Sequence, residues 1–177
     1  MPSMSARSKA SSNGPLHLAR RIVQPDPQRR LLVLGFLALG HSATGLAATP
    51  QKLVAQVWKD PNCGCCKDWI GHLESNGFKV NVLDQANNAA RARLGMPEKL
   101  GSCHTALIQG YVVEGHVPAA DILRLLKAKP KVLGLSVPGM PIGSPGMDGS
   151  VYGGRRDPYQ VLLVNKDGST QIFNSYS

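Results

Sequence analysis

Three of the four cysteines of this chain lie within one tetrapeptide, Cys63-Gly64-Cys65-Cys66, and Lys67 follows it. The fourth, Cys103, lies far down the sequence beside His104. Thiols at this density place several soft donors close together, and packing alone does not require such an arrangement. The cluster therefore predicts a fold built around soft-metal binding, thiol–disulfide chemistry or both.

The first 47 residues predict an export signal that is not part of the fold. Residues 1–28 are rich in Ser, Pro, Arg and Gln without an apolar period, so we expect a disordered leader. Residues 29–47 combine an Arg pair, an apolar run and small residues up to Ala47, the pattern of a signal peptide. A membrane anchor is the alternative, but the run has roughly half of the ~20 residues that a spanning helix needs. We therefore expect a periplasmic domain over 48–177 with no stable membrane span after processing.

Charge argues against a nucleic-acid partner. The chain holds 20 Lys and Arg against 11 Asp and Glu, but six of the basic and one of the acidic residues lie within 1–47. The mature part therefore keeps 14 basic and 10 acidic residues, a net charge of +4. Its sequence shows no basic stripe interleaved with aromatic residues, so we expect no nucleic-acid binding.

Apolar periodicity predicts an α/β domain with the order β-α-β-α-β-β-α, then a loop and a C-terminal β-hairpin. The stretch 134–158 holds seven Gly and four Pro together with Met140 and Met147. Gly and Pro at this density break regular structure, so we expect a long irregular loop there. Strands are expected over 53–58, 79–83, 105–109, 111–114, 159–164 and 170–173, and helices over 67–76, 87–94 and 119–127.

The predicted order of elements resembles that of thioredoxins. Thioredoxins carry Trp-Cys-Gly-Pro-Cys-Lys at the corresponding turn, where this chain has Asn-Cys-Gly-Cys-Cys-Lys over 62–67. The resemblance implies that Cys63 and Cys66 take the two CxxC positions. In thioredoxins a cis-proline faces this pair, and His104 stands at the matching place here. A proline there blocks metal access, whereas Cys103 and His104 would offer two ligands.

The helix that follows the cysteines favours reactive thiolates. Free N–H groups and the positive end of the dipole at a helix N-terminus lower the pKa of thiols there. Three thiolates within four residues suit Cu(I), which accepts sites of two or three sulfurs, and they can bridge several ions. Two alternatives stay open. One is a pair of disulfides, Cys63–Cys66 and Cys65–Cys103, and the other is structural zinc, whose usual signature has two separate CxxC pairs.

Further candidate donors lie outside the tetrapeptide. Cys103 and His104 are candidate ligands because the thioredoxin order points their loop at the cysteines. His116 is a candidate outer ligand, and His72 is expected to be exposed in its helix. The loop methionines offer thioether sulfur, a soft neutral ligand that favours Cu(I), or they cover the site as an apolar lid.

Several of these features together resemble the CopG-like copper-resistance family. They are the export signal, Cys-Gly-Cys-Cys after the first strand, Ser-Cys-His-Thr-Ala over 102–106, and the loop motifs Val-Pro-Gly-Met-Pro and Ser-Pro-Gly-Met within 137–147. The resemblance covers 52–177 and implies a periplasmic thioredoxin-like protein that binds copper, with room for several cysteine-bridged ions. It also implies interconversion of Cu(I) and Cu(II) and exchange with other periplasmic copper-handling proteins. The candidate metal ligands are then Cys63, Cys65, Cys66, Cys103, His104, Met140 and Met147.

Two functions of different classes follow from the sequence. The first is a copper-resistance protein that either sequesters Cu(I) or acts as an oxidoreductase on copper. The alternative is a periplasmic thiol–disulfide oxidoreductase acting on proteins, with Cys63 as the attacking thiolate and Cys66 as the resolving one. The replaced proline and the third cysteine of the turn argue against this alternative. A third interpretation is a protein whose cysteines serve only as disulfide staples.

Overall fold

The computed structural model describes residues 53–177, so the predicted leader over 1–28 and signal peptide over 29–47 lie outside the described residues. Within 53–177 the chain forms one mixed sheet of seven strands and three α-helices. No helix in that range is both long enough and apolar enough to cross a membrane. The strands are β1 Leu53–Lys59, β2 Phe78–Asp84, β3 His104–Ile108, β4 Tyr111–Glu114, β5 Gly134–Ser136, β6 Tyr159–Val164 and β7 Thr170–Tyr176, and the helices are α1 Gly64–Ser75, α2 Asn87–Arg93 and α3 Ala119–Ala128.

The strands lie in the order β2-β1-β3-β4-β5-β6-β7. β1 and β2 are parallel because α1 carries the chain back across the sheet, whereas β3 runs antiparallel to β1 and forms a hairpin with β4. β5 is parallel to β4, and β6 and β7 form the C-terminal hairpin. The predicted α/β class and the order of the first seven elements are confirmed, while the likeness to thioredoxins stays a prediction.

Strand β5 corrects the prediction of an unbroken loop over 134–158. It extends the sheet beside β4, with Gly134 opposite Val112. A Cβ on Gly134 would lie 1.7 Å from the Val112 carbonyl oxygen, so only glycine fits at this position. The glycine that predicts a loop is therefore the residue that lets the strand approach its neighbour.

Two further details of the helices differ from the predictions. Helix α1 begins at Gly64 instead of residue 67, with Cys63 at the N-cap position, so Cys65 and Cys66 lie in its first turn. Gly64 is exposed, and no apolar residue marks this start. The leucines of α3 at 123, 125 and 126 predict a broad buried face, but Leu123 is 37 % exposed because the helix buries a narrower one.

The packed core and the strand register together position the cysteine turn. Trp69 of α1 is fully buried in the main core, and its indole N–H donates to the Val117 carbonyl at 2.9 Å. The register of β1 and β3 pairs Lys59 with His104, so the last residue of β1 lies beside the first residue of β3. The cysteine turn follows Lys59, and Cys103 directly precedes His104. The sheet thereby brings the two cysteine segments together.

Candidate metal centre

The turn that carries three cysteines lies at the N-terminus of α1. Cys63 and Cys66 form a disulfide, with 5.3 Å between their Cα atoms. Cys65 keeps a free thiol, and its Sγ lies 3.6 Å from that of Cys63. The first of the two disulfides considered from the sequence is therefore present. This disulfide can accept two electrons by thiol–disulfide exchange.

Cys103 lies against the cysteine turn, as the sequence predicts. Its Sγ is 3.8 Å from Cys65 Sγ, and both of these thiols are free. Its carbonyl oxygen is 3.6 Å from Cys66 Sγ. Burial, and then the neighbouring Cys65, raise the pKa of Cys103 to about 12. At neutral pH this sulfur is a thiol, and a soft cation has to displace its proton in order to bind.

Two buried histidines extend the donor set around Cys103. His104 Nδ1 lies 3.4 Å from Cys103 Sγ, and His116 Nε2 lies 3.1 Å from the same sulfur. Both side chains are fully buried, and their rings meet edge to face with 4.9 Å between centroids. Sequence reasoning placed His116 in an outer position, yet it is as close to the thiol as His104. The signal that could have found His116 is the predicted β3–β4 hairpin. A hairpin brings the residues after β4 back to the end of the sheet where β3 begins, next to Cys103.

A backbone hydrogen bond sets the tautomer of His116. Its Nδ1 lies 2.8 Å from the Pro145 carbonyl oxygen, which can only accept, so Nδ1 carries the proton. Nε2 then presents its lone pair to Cys103. Burial lowers the pKa of His116, and burial followed by the proximity of His116 holds the pKa of His104 well below its usual value. Both imidazoles are therefore neutral at pH 7, which is the form that binds metal.

One ring nitrogen of the cluster lacks a partner. His104 Nε2 is buried and makes no hydrogen bond within the described part of the chain. The ring itself packs against Trp69, with 4.2 Å between ring centroids. Leaving a buried polar atom unpaired costs about 1–3 kcal/mol. The ring nitrogen beside the Cys103 thiol is Nδ1, so the unpaired Nε2 is a second free position of the same ring, and it fits a site that a bound ligand completes.

The Gly/Pro loop covers the cluster on the side of α1. A Cβ on Gly146 would lie 2.6 Å from the Cys65 carbonyl oxygen and 2.7 Å from the Trp69 nitrogen, so the loop backbone touches the first two turns of the helix. The φ of +83° at Gly146 also favours glycine. Met147 is buried, and its sulfur accepts a hydrogen bond from the Tyr152 hydroxyl at 3.2 Å. This half of the loop is closed over the site.

Two residues beside the site have roles that the sequence does not reveal. His72 is half-buried, which corrects the expectation that it is exposed, and its Nε2 accepts the Ala119 N–H at 3.0 Å. This bond satisfies a free donor at the start of α3. Lys59 is buried, and its ammonium donates to Asp84 at 2.8 Å and to the Asp60 carbonyl at 3.0 Å, where the chain enters the cysteine turn. The contact of His72 with Ala119 and that of Lys59 with Asp84 join segments that are distant in the sequence.

Six donor residues form two overlapping groups, which we call the thiol–imidazole cluster. Within each group the ligand atoms lie within 4.8 Å of one another. Thiolates are the ligands of soft ions such as Cu(I), and imidazoles suit copper and zinc. Fold and site thus define an α/β protein with a side-chain cluster that could hold a metal ion. The groups are Cys63, Cys65, Cys66 and Cys103, and Cys103, His104 and His116.

Comparison with known proteins identifies the family to which this chain belongs. Two solved structures of copper resistance protein CopG, described as form 2 and form 1, are each 50 % identical to this chain. The matches cover 72 % and 71 % of this chain and 100 % and 98 % of those proteins, with TM-scores of 0.67 and 0.66. This chain therefore belongs to the CopG copper-resistance family, which confirms the resemblance seen in the sequence. A family model described as a protein of unknown function, DUF411, matches residues 100–147, and no curated protein matches.

Proposed function

We propose that this protein binds Cu(I) in the thiol–imidazole cluster and serves copper resistance in the periplasm. The observation that carries the proposal is the position of Cys103, which belongs to both donor groups. A thiolate shared in this way can bridge two ions, so the cluster has room for more than one Cu(I). The solved relatives are copper-resistance proteins, which supports copper as the ion, and the predicted signal peptide over 29–47 supports the location.

The same cluster suits interconversion of Cu(I) and Cu(II). As a dithiol, Cys63 and Cys66 hold two electrons. When they close to the disulfide, two Cu(II) ions become two Cu(I) ions and the two thiol protons pass to solvent. The disulfide at this position and the adjacent imidazoles, which suit Cu(II) as well as Cu(I), support this step. Cys63 and Cys66 are the catalytic residues of the proposed reaction.

The loop methionines are the remaining candidate donors. Met147 is buried with its sulfur hydrogen-bonded to Tyr152, which favours a covering role over a ligand role. Met140 is 52 % exposed. Copper that is handled in the periplasm has to be received and passed on, so the proposed partners are other periplasmic copper-handling proteins.

Anaerobic titration of the reduced full chain with Cu(I), followed by metal analysis, tests the proposal. We expect more than one Cu(I) per chain in the wild type. Cys65→Ser and Cys103→Ser should lose bound copper, because these two thiols link the cysteine turn to the histidines. His72→Gln is the matched control, since His72 is a half-buried histidine outside the cluster. Failure of the reduced wild type to take up Cu(I) would rule the proposal out.

A thiol–disulfide oxidoreductase acting on proteins is the second candidate function. The Cys63–Cys66 disulfide at a helix N-terminus favours it, as does the burial of Cys66 behind the more accessible Cys63. The test is reduction of insulin disulfides by the metal-free chain, with and without added Cu(I). Efficient turnover without metal, inhibited by copper, would favour this function over copper binding.

A further inference from the structure

Cys103 can be reached from outside through a surface cleft of about 460 Å³. The cleft is lined by Cys103 and Met140 together with Glu98 and Arg91. Arg91 donates to the buried Glu114 carboxylate at 2.8 Å, so its charge is compensated inside the protein. Glu98 is exposed and leaves a negative charge at the cleft, which attracts cations.

Two hydrogen bonds hold Met140 beside this cleft. The Gly139 N–H donates to the Gly101 carbonyl at 3.0 Å, and the Ser102 hydroxyl donates to the Gly139 carbonyl. The loop is thereby tied to the segment that carries Cys103. The bond to Ser102 joins the residue directly before Met140 to the residue directly before Cys103. These bonds set the position of Met140 at the cleft that Cys103 also lines.

The two loop methionines differ in a way that sets Met140 apart. The sulfur of Met147 is buried and engaged by Tyr152, on the side where the loop is closed over α1. Met140 is 52 % exposed, one of the large apolar side chains that the described part of the chain leaves open to solvent. One cleft is therefore lined by two soft donors that differ in exposure, the exposed thioether of Met140 and the half-buried thiol of Cys103.

We propose that Cu(I) enters and leaves the thiol–imidazole cluster through this cleft, by ligand exchange between Met140 Sδ and Cys103 Sγ. The inference rests on the proposed function. Copper stays Cu(I) throughout: one bond between Cu(I) and a ligand atom of the donor breaks as the bond to Met140 Sδ forms, and that bond breaks as the bond to Cys103 Sγ forms. The Cys103 proton passes to solvent. A neutral thioether binds Cu(I) but does not hold it against a thiolate, so Met140 can pass the ion on to Cys103. The donor is a Cu(I) complex with exchangeable ligands.

The rate of copper uptake tests this route. The reduced full chain is mixed anaerobically with the Cu(I)–bicinchoninate complex in a stopped-flow instrument, and loss of the complex is followed by its absorbance. Met140→Leu keeps the apolar bulk and removes the sulfur. We expect it to slow uptake by about tenfold or more, as losses around metal sites commonly do, with the same copper content at equilibrium. Met96→Leu is the matched control, because Met96 is buried at 3 % exposure and should keep the wild-type rate.

The possible outcomes separate the entry route through Met140 from the proposed copper binding. Uptake by Met140→Leu as fast as by the wild type overturns the route. A lower copper content of Met140→Leu at equilibrium also overturns it, because Met140 would then be a resident ligand. If the wild type takes up no Cu(I) from bicinchoninate, the proposed function itself fails, and this result is visible before any variant is compared.

Discussion

The Glu114 carboxylate accepts a hydrogen bond from the Ser102 backbone N–H, with 2.8 Å between the nitrogen and Oε1, directly before Cys103 in the chain. Arg91 donates to the same oxygen at 2.8 Å and to the Ser102 carbonyl at 2.7 Å. Thr105 donates to the other carboxylate oxygen at 2.6 Å. Both backbone groups of residue 102 are thus held by one buried ion pair, which sets the position of the Cys103 thiol.

Removal of the Glu114 carboxylate should destabilise the fold. Glu114 is fully buried, and its loss leaves the Arg91 guanidinium without its anion and the Ser102 N–H without an acceptor. We expect Glu114→Ala to lower the free energy of unfolding by about 3–5 kcal/mol, measured by guanidinium denaturation. Glu74→Ala, on the exposed face of α1, is the control and should stay within about 0.5 kcal/mol. Equal stability of the two variants would contradict the role of the ion pair.

His116 should contribute to copper affinity. Its Nε2 lies 3.1 Å from Cys103 Sγ, and its tautomer is held by Pro145. We expect His116→Gln to weaken Cu(I) affinity by about tenfold or more in competition with a chelator. His72→Gln makes the same chemical change outside the cluster and should keep wild-type affinity. Wild-type affinity in His116→Gln would remove this histidine from the donor set.

Strand β5 should depend on the absence of a side chain at Gly134. A Cβ there would meet the Val112 carbonyl at 1.7 Å, so the strand has to move away from β4. We expect Gly134→Ala to lower the free energy of unfolding by about 1–3 kcal/mol or more, as overpacking does. A Cβ on Gly149 meets no atom within 4 Å, so Gly149→Ala is the control and should leave the denaturation midpoint unchanged. Similar midpoints for both variants would show that β5 is not packed as described.

The stability of the copper-free protein should fall in mild acid. Burial lowers the pKa of His72, whose Nε2 must be neutral to accept the Ala119 N–H. The folded pKa lies below the unfolded value of about 6.5, so the unfolded chain takes up protons first. The stabilisation is complete above that value and is lost as the pH falls from there through the folded pKa. His104 and His116 act in the same direction, because burial lowers the pKa of each.

Denaturation at a series of pH values measures this effect. We expect the wild-type free energy of unfolding to decrease from about pH 7 to about pH 5. His72→Gln should show a shallower decrease, because the glutamine does not titrate. A wild-type stability that stays constant over this interval would contradict the burial of neutral histidines.

Local chemistry made much of the site predictable. The identity of the donors and the presence of a helix after the cysteines depend on neighbouring residues, although the helix begins three residues earlier than predicted. The β3–β4 hairpin around Gly110 is likewise encoded within a few positions. The order of elements then implied that Cys103 faces the cysteine turn, and the distance of 3.8 Å between Cys65 Sγ and Cys103 Sγ confirms it.

The sequence by itself determined which soft donors this protein has and which segments of the chain carry them. Only the tertiary structure decided which donors meet: His116 joins His104 at Cys103, while Met147 is buried under Tyr152 and Met140 stays exposed. It also placed β5 in a stretch that reads as a loop. The physical reason is that donor chemistry belongs to a single side chain, whereas contacts across many residues depend on strand register and on the packing of the whole sheet.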